Sequence, residues 1–486
     1  MKFPKILLIC FLLSVLTYSC FDDMDDNAIS ASEINDFVWK GMNAVYLYKD
    51  NIPDLANDRF STTAEYADYL NSFSAPEELF ESLIYQRQTV DRFSWIVDDY
   101  IALEELFNGI SKRSGYEFDI YPIPGSATNM FGIVRLVLPN SNAEDNNLRR
   151  GQVFTAIDGV NLTQDNYRSL FSPDSYTMDL ADYNDNGTPG NLNDDIITPN
   201  GQSITLTKTV LSENPIFETA IIDVDGENLG YIMYNGFTSA YNSQLNTAFN
   251  TFKNNNVQHL VLDLRYNPGG SVLTAAYLGS MITGQFNGEV FAKLVYNSDL
   301  QANNYDFEFE SLIDNSEPIN SLNLDKIYVL TTEDSASASE MIINSLSPYI
   351  EIVQIGDNTT GKSQASITVY DSPNLEREGA NPNHTYAMQP LVANTLNKLN
   401  SSVPSNGLTP TMNLLENPAN YSVLGDENEP LLAAAIADIQ GTGRFNFSIE
   451  NQTKPIATSN SLRPHTKEMY IDKGIFDFNT NRMQQE

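Results

Sequence analysis

The C-terminal half of the chain alternates short apolar runs with helical stretches, and this alternation constrains the fold more than any other feature. The helical stretches are SQLNTAFNTFKNN at 243–255 and SEMIINSLSPY at 339–349. The strand-type runs around them are NLGYIMYNGF at 228–237, HLVLDLRYNPGG at 259–270, DKIYVLTT at 325–332 and IEIVQIG at 350–356. Such alternation predicts a largely parallel sheet with helices on both faces. We therefore expect an α/β domain over residues 214–440.

The preceding residues predict two further units, because 486 residues are too many for one compact core. Residues 30–110 have helical periodicity and predict a helical domain. Its clearest apolar face consists of Ile34, Phe37, Val38, Met42, Val45 and Tyr46. Residues 111–213 contain short β-rich runs broken by Gly, Pro and Asn. The tail, 441–486, is rich in Asn, Ser and Thr, and we expect it to be weakly ordered or wrapped over the core.

The N-terminus reads as a targeting segment. MKFPK is basic, and the apolar run ILLICFLLSVL is too short to span a bilayer. TYSC resembles a lipoprotein signal, which implies a signal peptide at 1–19 and lipidation of Cys20. The acidic residues 20–29 resemble the tether of Bacteroidetes-type outer-membrane lipoproteins, although an ordinary secretory signal and a plain linker are the alternatives. We expect a cell-envelope protein anchored to the outer membrane, without a disulfide once Cys10 is removed.

Charge and composition narrow the classes of partner. The formal net charge of −36 argues against nucleic acid and anionic lipid, and favours a solvated acidic surface. Three scattered histidines serve a catalytic metal poorly, so no metal or organic cofactor is expected. The segment Asp182–Gly187 matches the start of a calcium-binding loop, but Asn193 stands where the bidentate glutamate belongs. A polar turn is the favoured interpretation, and a calcium-dependent surface protein is the alternative.

The β-rich unit carries a second set of patterns. GYEFDIYPI at 115–123 is followed by MFGIVRLVLP and then by LRRGQVFTAIDGVNL at 148–162. This order resembles a bacterial PDZ domain, with Gln152 at a position that is usually acidic. The resemblance implies that an extended peptide adds to a sheet edge of this unit, with its terminal carboxylate held by backbone amides of residues 115–118. The alternative is an inert β-rich spacer.

The stretch SASASE at 335–340 admits several interpretations. Ser337 and Glu340 are spaced as a helix capping box. A Ser-His-Asp triad would need one of three poorly placed histidines, His259, His384 or His465. A serine–lysine dyad would need a lysine whose pKa is lowered by burial or by nearby positive charge, and Lys362 follows a Gly-bearing turn.

Several motifs occur in one order along the chain: DLRYNPGG at 263–270, SASASE, the GK pair at 361–362, and SNGLTPT at 405–411. Together with the PDZ-like unit before them, they resemble the C-terminal processing (tail-specific) serine peptidases over roughly residues 110–440. The resemblance implies a ClpP/crotonase-like α/β peptidase core, with the PDZ-like β domain before it and the helical domain at the N-terminus. It also implies site roles: Ser337 as nucleophile, Lys362 as general base, and the amides of Gly270 and Ala338 as oxyanion donors. The family's glutamine four residues after the lysine is replaced by Ser366, so Gln364 is the candidate to orient the amine.

Physical chemistry supports these roles independently. A serine at a helix N-terminus has free backbone amides and the helix dipole beside its acyl intermediate. Glycine at 269 and 270 lets the backbone approach a substrate carbonyl. We therefore expect a lipid-anchored serine endopeptidase that acts on protein or peptide substrates with accessible C-terminal tails. The alternative is a catalytically inactive peptide-binding surface lipoprotein of the same fold.

Overall fold

The structure is a computed structural model that describes residues 31–188, 191–314, 316–442, 454–463 and 465–472. The expected signal peptide, the acidic tether and Cys20 lie outside these residues. Within the described ranges, no helix is both long enough and apolar enough to cross a membrane.

The N-terminal unit is helical, as its periodicity predicts, and one short strand lies between its helices. The predicted face of its first helix is buried throughout. This strand, Trp95–Val97, pairs antiparallel with residues 387–389, so the chain contacts the C-terminal half of the molecule at this point. The elements are α1 (Ala31–Val45), α2 (Thr63–Asn71), α3 (Pro76–Ser82), β1 (Trp95–Val97) and α4 (Tyr100–Phe107).

The β-rich unit is built on one large sheet. Its first and last strands, Ile110–Arg113 and Thr209–Ser212, pair antiparallel, so the chain enters and leaves the unit at one place. The central strands run β3-β4-β5-β7-β8, and aromatic side chains such as Phe118 and Phe154 fill the core beneath them. The elements are β2 (Ile110–Arg113), β3 (Tyr116–Pro122), β4 (Met130–Val137), α5 (Asn142–Asp145), β5 (Val153–Ile157), β6 (Val160–Asn161), α6 (Tyr167–Leu170), β7 (Ser175–Asn184), β8 (Ile196–Thr207) and β9 (Thr209–Ser212).

The segment Asp182–Gly187 ends strand β7 and enters a turn. The Asp182 carboxylate accepts from Asn200 at 2.9 Å, and the Asn184 side chain accepts the Asn186 amide at 2.9 Å. In the part of the chain that the structure describes, no group of three or more His, Cys, Asp or Glu side chains could hold a metal ion. These contacts are those of a polar turn.

The C-terminal half forms the predicted α/β core. Its main sheet has the order β10-β11-β12-β18-β19-β24, parallel from β11 onward. The fold-class prediction is confirmed, and the four apolar runs are four adjacent strands of this sheet. The elements are β10 (Ile216–Val224), β11 (Glu227–Tyr234), α7 (Asn242–Asn254), β12 (Val257–Asp263), β13 (Gly270–Ser271), α8 (Val272–Ile282), β14 (Val290–Tyr296), β15 (Tyr305–Glu308), β16 (Leu312–Ile313), β17 (Glu317–Pro318), β18 (Lys326–Thr331), α9 (Ala338–Leu346), β19 (Glu351–Gly356), β20 (Gln364–Ser366), β21 (Val369–Tyr370), β22 (Ala387–Gln389), β23 (Leu391–Leu396), β24 (Met412–Asn413) and α10 (Pro430–Ile439).

Successive side chains of the central strands point to opposite faces of the sheet and therefore pack in two separate cores. Leu260 and Leu262 of β12 belong to the core that contains α7, α8, α9 and the N-terminal helices. Val261 between them belongs to the core under α10. The sheet is therefore covered on both faces.

A second sheet stands beside the first, in the order β13-β26-β20-β23-β14-β15. Its strand β26 (Met469–Tyr470) comes from the C-terminal tail. Another tail strand, β25 (Ala457–Thr458), pairs with β3 of the β-rich unit. The described parts of the tail are thus wrapped over the molecule, one of the two outcomes expected from the sequence.

Candidate active site

Ser337 occupies the position just before helix α9, at the carboxyl end of strand β18. Its neighbours are fixed to the loop after β12: the Ser335 hydroxyl donates to the Leu264 carbonyl at 2.7 Å, and the Ser339 hydroxyl donates to the Asn267 carbonyl at 3.0 Å. The Ser337 hydroxyl is buried and has no hydrogen-bond partner among the described residues. The serine in the middle of the repeat is therefore free for other chemistry.

The Glu340 carboxylate connects the serine stretch to the lysine stretch. One oxygen, Oε2, accepts the Ser337 amide at 2.8 Å and the Lys362 amide at 2.9 Å. The other, Oε1, accepts the Gly361 amide at 2.7 Å and the Thr359 hydroxyl at 2.5 Å. Burial raises the pKa of Glu340, and these hydrogen bonds oppose that rise. Glu340 thus serves the predicted capping position of helix α9, and its own amide donates to the Ser337 carbonyl at 2.9 Å.

Gly269 lies against Ser337, and both it and Gly270 have backbone angles that only glycine adopts readily, φ +114° and +136°. A Cβ on Gly269 would stand 2.6 Å from the Ser337 Cβ and 2.3 Å from the Glu468 carbonyl oxygen. A Cβ on Gly270 would stand 2.3 Å from the Phe237 carbonyl oxygen. The Gly270 amide donates to the Glu468 carbonyl at 2.6 Å. Ala338 is the first residue of α9, where helix amides lack intrahelical acceptors.

Lys362 is fully buried, and its Nζ lies 3.2 Å from Glu468 Oε2 and 5.2 Å from the Phe93 ring centroid. Burial lowers the pKa of Lys362 below its ordinary value, and the Glu468 carboxylate opposes this effect. Phe93 is held there by Asp91, whose carboxylate accepts the Phe93 amide at 3.1 Å. A buried amine with a lowered pKa is suited to accept a proton.

The contacts around Lys362 involve Ser366, not Gln364. The Ser366 hydroxyl donates to Glu468 Oε2 at 3.1 Å and accepts from Gln389 Nε2 at 3.0 Å. The described residues show no hydrogen bond between Gln364 and Lys362, because the regular strand begins only at residue 364 and bulges before Ser366. The role of Gln364 thus stays a prediction without a supporting contact.

The site includes residues that the sequence motifs did not indicate. Trp95 donates from Nε1 to Glu468 Oε1 at 2.7 Å and stacks on His465 at 4.0 Å between ring centroids. Gln389 is buried beside Ser366. Trp95, Gln389 and Glu468 come from three separate segments, and no spacing in the sequence connects them.

The histidines do not assemble a Ser-His-Asp triad. His259 pairs with Glu227 at 2.7 Å, and His384 pairs with Asp371 at 2.9 Å. Among the residues with described positions, none of the three histidines hydrogen-bonds Ser337. The described contacts therefore give no support to a Ser-His-Asp triad.

Comparisons with known proteins point to one family. Residues 228–376 match the model of peptidase family S41, and residues 33–95 match the peptidase S41 N-terminal domain. A carboxyl-terminal-processing protease of Picosynechococcus sp. is 24% identical over 235 residues, which cover 48% of this chain and 50% of that protein. The chloroplastic carboxyl-terminal-processing peptidase 3 of Arabidopsis thaliana is 26% identical over 257 residues, 47% of this chain and 44% of that protein. The chain thus spans about half the length of the curated relatives that it matches.

A solved structure extends the similarity to most of the fold. A crystal structure from Bacteroides fragilis NCTC 9343, assigned to the S41 proteases, superposes with a TM-score of 0.67 at 26% sequence identity. The match covers 84% of this chain and 97% of that one. Two family domains in the expected order agree with this fold. The chain therefore contains two domains of peptidase family S41, at residues 33–95 and 228–376.

Proposed function

We propose that this chain is a serine endopeptidase of the C-terminal processing type, with Ser337 as nucleophile and Lys362 as general base. The observation that carries the proposal is that the backbone amides of Ser337 and Lys362 donate to the same oxygen of Glu340. The Ser337 hydroxyl is buried without a described partner, and burial lowers the pKa of the Lys362 amine. A serine needs an adjacent base and nearby oxyanion donors to act as a nucleophile. The two S41 domains support the same reaction class.

The proposed reaction has two stages. Ser337 Oγ attacks the peptide carbonyl carbon while Lys362 Nζ accepts the hydroxyl proton. The amides of Gly270 and Ala338 stabilise the oxyanion, and the departing amine takes the proton from Lys362 as the peptide C–N bond breaks. Water then hydrolyses the acyl ester with Lys362 again as base, which restores the Ser337 hydroxyl. The chain's own residues supply every catalytic group in these steps, and water is the second reactant.

We assign the β-rich unit, residues 110–212, the role of a PDZ-like module that binds substrate tails. Strand β3 is the edge strand of the unit's own sheet, and it accepts a further antiparallel strand at Ala457–Thr458. Strand addition at an edge uses backbone hydrogen bonds and tolerates many sequences. The supporting observation is therefore that the β3 edge already binds an extended segment.

The test is cleavage of an unstructured peptide library with free C-termini by the full chain. Ser337→Ala and Lys362→Ala should each lower kcat/KM by roughly a thousandfold or more, since each removes a member of the dyad. The matched controls are Ser347→Ala, an exposed serine after the same helix, and Lys253→Ala, an exposed lysine of α7. Both controls should keep wild-type activity. Full activity in Ser337→Ala would refute the proposed nucleophile.

One observation favours a second candidate function, a catalytically inactive peptide-binding lipoprotein. The Lys362 ammonium group bonds Glu468, and the Ser337 hydroxyl bonds nothing described, so the two are not joined in a dyad in this structure. Under this alternative, the wild-type chain and its variants would bind library peptides, and none of these proteins would cleave them.

We also propose that the protein is held in the cell envelope by a lipid on Cys20, on the basis of the N-terminal sequence alone. In a bacterial host that processes lipoproteins, the wild-type chain should partition with membranes and incorporate labelled palmitate. Cys20→Ser should lose both properties. Equal membrane partitioning of Cys20→Ser would contradict the anchor.

A further inference from the structure

The C-terminal tail lies as a strand in the peptidase site. Strand β26 runs parallel to β13 on one side and to β20 on the other, with Met469 opposite Gly270 and Tyr470 opposite both Ser271 and Ser366. The Ile471 amide donates to the Ser366 carbonyl at 3.0 Å. An extended segment bonded to strands on both sides occupies the groove as a bound peptide would.

Glu468 engages the two groups that the proposed mechanism requires. Its backbone carbonyl accepts the Gly270 amide at 2.6 Å, the position assigned to the oxyanion. Its carboxylate lies 3.2 Å from Lys362 Nζ and also accepts from Ser366 and Trp95. A carboxylate beside an amine favours the charged ammonium, which cannot accept a proton. The tail therefore fills the oxyanion position and, through the Glu468 carboxylate, opposes the loss of the Lys362 proton that burial favours.

The residues after Glu468 fix the segment in place. The Asp472 carboxylate accepts the Ser271 hydroxyl at 2.6 Å and the Leu273 amide at 3.3 Å, at the start of α8. The Tyr470 ring stacks on Phe107 at 4.4 Å between centroids. A carboxylate at a helix N-terminus is favoured by the free amides and by the dipole.

The tail before Glu468 occupies the other peptide-binding edge. Thr458 pairs with Asp119 of β3, and the Ser459 hydroxyl accepts the Phe118 amide at 3.2 Å. Arg463 forms an ion pair of 2.6 Å with Glu117. Phe118 lies within residues 115–118, where the resemblance to a PDZ domain predicts binding of a peptide's terminal carboxylate. One segment thus covers both the β3 edge and the catalytic groove.

We propose that residues 454–463 and 465–472 act as an intramolecular competitor of substrate, which occupies both peptide-binding edges and must leave before a substrate can be cut. This inference rests on the proposed peptidase function. The occupant is this chain's own C-terminal segment, with Glu468 as the residue that blocks the site. Removing the Glu468 charge removes the ion pair to Lys362 and keeps the size of the side chain.

The kinetic test compares Glu468→Gln with the wild-type full chain on a library peptide. The variant should have a KM lower by about fivefold or more, because a larger fraction of molecules is open to substrate. Glu427→Gln is the matched control, since Glu427 is an exposed carboxylate in a turn. A Glu468→Gln variant with wild-type KM and kcat would overturn the proposal.

A second measurement follows the tail itself and needs no turnover. In Ser337→Ala, hydrogen exchange at the Ile471 and Gly270 amides should be slow, because both donate within the occupied groove. Adding Glu468→Gln should speed exchange at Ile471. Unchanged slow exchange in the double variant would refute Glu468 as the residue that holds the tail.

The two measurements separate this proposal from the proposed function. If no variant cleaves any peptide, the peptidase proposal fails, and the exchange result still decides whether the tail resides in the groove. Intact-mass analysis of the wild type adds one more outcome. Loss of the segment that begins at Met469 would show that the tail is a substrate, which contradicts a lasting competitor.

Discussion

At the scale of single residues, Ser337 combines an unbonded hydroxyl with a strained backbone. Its φ is +65°, a value that costs a non-glycine residue roughly 1–2 kcal/mol. The hydrogen bond from its amide to Glu340 holds this conformation. Strain of this kind often accompanies function, and here it positions the hydroxyl beside Gly269, where no side chain stands in the way.

The pH dependence of activity should report Lys362. Its pKa is lowered by burial, so the neutral amine forms below the ordinary lysine range, and kcat/KM should rise with pH until Lys362 is deprotonated. Below that pKa the rate should fall about tenfold per pH unit. The measurement is kcat/KM against pH with a peptide that has no titrating side chain.

The effect of Glu468 on the pKa of Lys362 provides a control for this pH profile. Glu468 raises the pKa of Lys362, so Glu468→Gln should move the rising limb to lower pH. The lowered pKa of Lys362 also affects the free energy of unfolding. Between the pKa of the folded state and 10.5, the unfolded chain holds a proton on Lys362 that the folded chain has released. The free energy of unfolding therefore decreases as the pH falls through this range. A rate profile unmoved by Glu468→Gln would contradict Lys362 as the base.

At the scale of elements, the start of α9 and the turn before β20 are fixed together by one carboxylate. Glu340 accepts from three backbone amides and one hydroxyl, which is its full capacity as an ionised group. The Glu340 side chain therefore holds the turn before β20 against the start of α9, and the distance between Ser337 and Lys362 depends on it.

Glu340→Gln should disrupt this junction, because the NH₂ group of glutamine would face backbone N–H donors and could not accept their hydrogen bonds as the carboxylate oxygen does. We expect a loss of about 2–3 kcal/mol in the free energy of unfolding, measured by urea denaturation, and a lower kcat with little change in KM. Glu351→Gln on the exposed end of β19 is the control and should cost under about 1 kcal/mol. Wild-type stability in Glu340→Gln would show that the junction is held elsewhere.

At the scale of the whole molecule, three units meet at the site. The N-terminal unit supplies Phe93 and Trp95, the α/β core supplies Ser337 and Lys362, and the β-rich unit contacts the serine loop through Arg135. Arg135 is buried and pairs with Asp334 at 2.6 Å and with Asp119 and Glu117 of β3. The β3 edge and the loop before Ser337 are therefore joined by one side chain.

Arg135→Met should be strongly destabilising, because Asp334 and Asp119 would stay buried without their cation. The expected loss in the free energy of unfolding is about 3–5 kcal/mol, with reduced kcat/KM in the fraction that remains folded. Arg149→Met, an exposed arginine of the same unit, should change stability by less than about 0.5 kcal/mol. A mild effect of Arg135→Met would show that the two units are not coupled through this cluster.

The sequence by itself determined the α/β architecture, because apolar strand-type runs that alternate with helical stretches are a pattern visible in short segments of the chain. It also indicated Ser337, Lys362 and the PGG turn as candidate site residues, since helix starts and glycine turns are short-range patterns. Only the tertiary structure decided that Glu468 lies beside Lys362 and that Trp95 and Ser366 donate to the same Glu468 carboxylate. The physical reason is that local patterns specify which face of an element is buried, whereas contacts between segments hundreds of residues apart depend on how the complete chain packs.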